Sequence, residues 1–132
     1  MVHYSQMDID DDQFESLIGQ AMDDLPQEYI HQLNNVAVTY ENEPTQQQRA
    51  QLQLRCDQTL FGLYEGIPLT KRNGNYNLVL PDKITLFKQP IVHASSDIAM
   101  LRAHVKHTLW HEIAHYYGLD HDRIHALERK HR

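Results

Sequence analysis

The sequence predicts an α+β domain in which a small mixed four-stranded sheet packs on N-terminal helices and on one long helix near the C-terminus. Three observations predict it. Residues 35–41 (NVAVTYE) alternate with the period of a strand. The Asn73-Gly74 turn signal separates two further strand-forming stretches. After Asp97 a helical pattern runs on without a breaker until Gly118. At 132 residues the chain is long enough for one core and too short for two, so residues 1–132 are expected to form a single domain.

Taken in order, residues 1–11 carry Asp8, Asp10 and Asp11 and are expected as a flexible acidic tail. They show no basic patch followed by an apolar stretch, so a cytoplasmic location is the expectation. Asp12-Gln13-Phe14-Glu15 reads as a capping box, and Phe14, Leu17, Ile18, Ala21 and Leu25 follow at helical spacing, which predicts a helix over 12–24. Pro26 starts a second, short helix through about Asn34. The first strand sets Val36, Val38 and Tyr40 against Ala37 and Thr39. Residues 46–55 are good helix formers on a polar segment, which reads as a surface helix or a mobile insertion. Residues 60–67 and Tyr76 to Leu80 form a hairpin, Pro81-Asp82 breaks the chain, and Ile84 to Phe87 is a last strand before Pro90. Ser95 or Ser96 can cap the long helix, with Asp97 in its first turn; at 1.5 Å per residue it is roughly 33 Å long. A short helix over 122–130 completes the chain.

Composition narrows the function. With 41% hydrophobic and 23% charged residues, wholesale disorder and a fibrous protein are excluded. The apolar runs are far shorter than the roughly 20 residues that cross a bilayer, so no membrane partner is expected. Cys56 is the one cysteine, which rules out an internal disulfide and a cysteine-cluster zinc site. A net charge of −6 supplies no global attraction to nucleic acid, and none is expected as a partner.

The ten histidines are unevenly placed: seven lie in the last 29 residues. Among them is His111-Glu112-Ile113-Ala114-His115, the H-E-x-x-H pattern. Residues four apart share a helix face, so the two imidazoles can converge on one ion, with their Cβ atoms about 5–6 Å apart. Glu112, a 100° step around from His111, then sits beside the metal, where a carboxylate can take a proton from water; it is the candidate general base. The run continues as H-E-x-x-H-x-x-G-x-x-H. Gly118 can end the helix in the left-handed region and turn the chain back, which brings His121 within reach as a third ligand to zinc, one ion per chain. A structural zinc site would need a fourth ligand, which Asp120, Asp122 or His125 would have to supply. His104 and His107 lie on the face of His111 one to two turns earlier, as neighbours of the site rather than ligands.

With these residues in hand, the sequence resembles the small bacterial zincin-like metallopeptidase family. The likeness extends from about Phe14 to Leu127 and includes Leu60-Phe61-Gly62-Leu63-Tyr64-Glu65-Gly66-Ile67-Pro68-Leu69 and Leu80-Pro81-Asp82-Lys83-Ile84-Thr85-Leu86-Phe87. The resemblance implies a minimal zincin-like fold, zinc on His111, His115 and the residue at position 121, and hydrolysis of a peptide or protein substrate with Glu112 as base. Many relatives use Asp where this chain has His121, and Asp120 and Asp122 flank it, so the third ligand is one of these three, with His121 first on spacing. Larger metzincins add a subdomain and a methionine turn after the third ligand. Here 11 residues follow His121 and none is Met, which implies a shallow, open cleft with loose selectivity, one that a protein partner could complete. By analogy with zincins, Ile84 to Lys88 would bind extended peptide by strand addition. Oxyanion donors among Tyr64, Tyr116, His104 and Arg72 stay open. Two other classes compete. The Gly118-Leu119-Asp120-His121 run is also similar to that of the metal-dependent endoribonucleases of ribosomal RNA maturation, and a small zinc-binding interaction module needs no catalysis at all.

Overall fold

The computed structural model describes residues 8–51, 60–71, 81–119 and 121–130, the side chains of His121, His125 and Glu128 excepted. Among these residues the sheet has three strands: β1 (Val36–Glu41), β2 (Gly62–Glu65) and β3 (Asp82–Phe87), in the order β1-β3-β2. β1 runs parallel to β3, with Val38 opposite Ile84, and β2 runs antiparallel to it, with Gly62 opposite Leu86. The sheet is therefore mixed, as expected, but three-stranded rather than four-stranded here. The expected fourth strand, 76–80, and the Asn73-Gly74 turn lie outside the described residues, as do Arg72 and Cys56.

The central place of β3 corrects the expectation that Ile84 to Lys88 pairs with substrate. Both of its edges are already hydrogen-bonded, and Lys88 is the first residue of a helix, buried and ion-paired to Asp11 at 3.0 Å. That helix, α4 (Lys88–His93), forms where Pro90 suggests a break. Pro90 stands third in it, where the N–H has no intrahelical partner to lose, so the ring costs the helix no hydrogen bond.

Helix α1 (Asp11–Asp24) begins one residue earlier than Asp12 because Asp10 is its N-cap. The Asp10 carboxylate accepts from the Gln13 N–H at 2.8 Å, and the Gln13 side chain accepts from the Asp10 N–H at 2.8 Å. Ile9 packs against the core, so residues 9–11 belong to the folded body rather than to a tail. The second helix, α2 (Gln27–Ile30), stops short of Asn34, and Asn35 takes a left-handed φ of 58° to turn the chain into β1. A capping pair, the Thr45 hydroxyl with the Gln48 N–H and the Gln48 amide with the Thr45 N–H, starts α3 (Gln46–Gln51).

Two helices close the fold: α5 (Ile98–Tyr117) and α6 (His121–Lys130). Asp97 caps α5 by accepting from the Met100 N–H at 2.8 Å. Of the serines expected there, Ser95 is buried and donates to the Ile91 carbonyl instead. The core lies between α1, α5 and the sheet. Phe14, Leu17 and Ile18 of α1 meet Leu101, Val105, Leu109 and Ile113 of α5 and Ile84 and Leu86 of β3. The aromatic cluster Tyr29, Trp110, Tyr117 packs edge to face at 5.3–5.4 Å and ties α2 to α5. No helix among the described residues is long and apolar enough to cross a membrane.

Candidate metal centre

The C-terminal half of α5 carries the site. His111 and His115, one turn apart, set their rings edge to face with centroids 4.7 Å apart. The ligand atoms of His111, Glu112 and His115 all lie within 4.8 Å of one another. Both imidazoles are half-exposed, whereas Glu112 between them is 8% exposed.

That contrast has a structural cause. The 100° step from His111 to Glu112 turns the carboxylate toward β2, which runs along α5. A Cβ added at Gly62 would stand 2.6 Å from Thr108 Cγ2 and 3.3 Å from Glu112 Cγ, so only a residue without a side chain lets strand and helix approach this closely. The Tyr64 backbone N–H donates to the Glu112 carboxylate. Burial raises the Glu112 carboxyl from 4.5 to about 7, with the Tyr64 N–H opposing that rise. The Tyr64 side chain is fixed in turn, its hydroxyl donating to Asp82 Oδ2 at 2.6 Å.

The other end of the motif is built by Gly118, at φ +77°. Its N–H bonds to the His115 carbonyl at 3.0 Å and the Leu119 N–H to the Ala114 carbonyl at 3.1 Å, the two bonds of a Schellman turn. The turn ends α5, and α6 begins at His121. The His121 side chain and Asp120 lie outside what the structure describes, while Asp122 is exposed in the first turn of α6.

The remaining sequence candidates are held elsewhere. Exposed His107 stacks on His111 at 6.3 Å between centroids and stays out of the donor group. His104 Nδ1 bonds Ser95 Oγ at 2.9 Å. Tyr116 is buried and accepts from the Asn34 N–H at 3.2 Å. Tyr117 donates to the Tyr29 carbonyl, and burial pushes its hydroxyl up to about 12. Sequence reasoning missed the hold that β2 has on Glu112; the glycine inside the strand-forming run Leu60 to Tyr64 was its one signal.

Two imidazoles and a carboxylate at this separation, with the imidazoles half-exposed, fit a divalent transition metal such as zinc. An H-E-x-x-H helix with its glutamate buried under a strand of a mixed sheet defines the zincin class of metal-dependent hydrolases. The family model described as zincin-like metallopeptidase matches residues 33–131, and the chain belongs to that family. No curated protein matches it.

Proposed function

We propose that the protein is a zinc-dependent metallopeptidase in which His111, His115 and His121 hold one zinc ion and Glu112 is the general base. The observation that carries this reading is the pairing of two half-exposed imidazoles with a buried carboxylate oriented by the Tyr64 N–H. When bound, zinc supplies Lewis acidity toward a scissile carbonyl and toward the attacking water. Glu112 takes the proton from that water and returns it to the leaving amine. A carboxyl poised near neutral pH can do both, because neither protonation state is far from the working pH. The Tyr64 N–H occupies one acceptor position of the carboxylate and would leave the other oxygen for the proton. His111 and His115 are half-exposed, so an extended peptide or protein segment would reach a metal held there, and a protein partner would close the remaining face.

The test is zinc content by plasma mass spectrometry, with peptide hydrolysis measured on the same preparations, all purified without a His-tag. Wild type should hold close to one zinc per chain, and His121→Ala should lose most of it. Glu112→Gln should keep zinc while hydrolysis falls by at least about 100-fold, the usual contribution of a positioned acid–base group. Zinc unaffected by His121→Ala would move the third ligand to Asp120 or Asp122. Hydrolysis retained in Glu112→Gln would reject the base. Cleavage of structured RNA with peptides untouched would replace the reading by the endoribonuclease one.

A further inference from the structure

β2 and α5 run side by side, and their contacts mark out a line. Tyr64 packs against Tyr116, Gly62 meets Thr108 and Glu112, and Phe61 lies against His104 with ring centroids 5.9 Å apart. His104, His111 and His115 fall on one stripe of α5, because seven and eleven residues are close to two and three whole turns. At the end of the stripe nearer the start of α5, His104 lies against Phe61, and Phe61 lines a cavity of about 550 Å³. This lies within the size range of small-molecule and side-chain pockets.

Its lining is mixed, an apolar wall set beside polar groups. Pro44, Leu60, Phe61, Pro90 and Ala94 supply apolar surface, and the two prolines make that wall stiff. Glu43, Arg49 and His93 make up the polar part of the lining, and the apolar wall is the part that takes an apolar group. His104, which touches the lining through Phe61, is held by Ser95. The single hydroxyl hydrogen of Ser95 goes to the Ile91 carbonyl at 2.8 Å, so the 2.9 Å contact with His104 Nδ1 is donated by the histidine, and Nε2 is turned away from Ser95.

His104 and His111 are seven residues apart, roughly 10 Å along the helix axis, a length that about three residues of extended peptide cover. We propose that this cavity is a substrate subsite that receives a bulky apolar side chain about three residues from the bond placed at the metal centre. The inference rests on the peptidase reading for its orientation. It stands on its own as a preference among peptides.

The experiment uses pairs of peptides that differ only by Phe or Gly at one position, moved along the chain. Binding is measured by fluorescence anisotropy on zinc-loaded Glu112→Gln and cleavage on wild type. One position should favour Phe by about tenfold or more in both Kd and KM, the scale of an apolar contact in a pocket. Ala94→Trp, which fills the cavity from an exposed position at the end of α4, should bring that ratio to within about twofold of one. Phe61→Ala, which strips the wall, should reduce it as well and guards against a folding defect in the first variant. Equal binding of Phe and Gly peptides at every position, or a preference that survives both variants, overturns the subsite even if peptides are cleaved. A preference that both variants abolish, without any hydrolysis, supports the subsite and instead defeats the peptidase reading.

Discussion

Replacing Glu112 with Gln should make the metal-free protein more stable above neutral pH, although it removes the proposed base. Burial raises the folded-state carboxyl from 4.5 to about 7, so the folded chain holds this proton more tightly than the unfolded chain does. Below about pH 4.5 the group is protonated in both states and carries no penalty. Above about 7 it is ionised in both, and the folded state bears a charge under β2 with little water around it. Stability from this group is therefore lost as pH rises through the interval, and at about 1.4 kcal/mol per pH unit the loss reaches about 3 kcal/mol. The glutamine side chain has the same shape and can still accept from the Tyr64 N–H, but it does not titrate. Thermal and urea unfolding of EDTA-stripped wild type and variant between pH 4 and 9 is the assay, since the difference at each pH removes the contribution of every other titrating group. That difference should grow from near zero at pH 4.5 to about 3 kcal/mol at pH 8, roughly 10 °C in Tm. A difference that stays flat with pH would refute the reasoning that β2 desolvates this carboxylate. Zinc beside the carboxylate should narrow the gap, because a nearby cation favours the ionised form.

Three further outcomes follow from the same geometry. Gly118→Ala places a Cβ at φ +77° and hard against the Thr70 side chain, and should cost about 3 kcal/mol by unfolding while weakening zinc retention. Gly62→Ala should cost about 2 kcal/mol alone but under about 1 kcal/mol in a Thr108→Ser background, which lacks the Cγ2 that the new Cβ meets at 2.6 Å; additive losses would disprove that contact. Asp10→Ala should remove about 1 kcal/mol of stability and Asp12→Ala less than about 0.5, since Asp10 makes the cap.

The parts of the fold that were legible in the sequence are those whose signal is local. The apolar period of α1, the alternation of β1 and the unbroken run of α5 are each a property of neighbouring residues, and each element formed. The order of the strands is not local. It shows only once the chain is folded: Asp82, Ile84, Thr85, Leu86 and Phe87 are all buried, so both faces of β3 are covered, as in an interior strand. Ser95, Ser96 and Asp97 are three cap-type residues in a row, and which of them caps α5 is decided by what Ser95 meets on α4 and His104. The same division runs through the site. His111, Glu112 and His115 could be read from helical spacing alone. The contacts of Glu112 with Gly62 and Tyr64 join segments some 50 residues apart and depend on how closely β2 lies to α5.

That closeness is what gives neighbouring positions of one helix different chemistry. His111, Glu112 and His115 occupy little more than one turn, so propensity and helix position do not distinguish them. Their surroundings do, through β2: it covers the side of the helix that Glu112 faces and leaves the imidazoles of His111 and His115 half-exposed. A larger residue than Gly62 would move β2 outward, wet the carboxylate and return its pKa toward 4.5, and the same displacement would carry Phe61 away from His104. The protonation of the proposed base and the place of Phe61 in the cavity wall are thus set by one strand–helix spacing. It follows that substitutions at Gly62 should alter the pH dependence and the side-chain preference together, whereas substitutions at Ala94 should alter the preference alone.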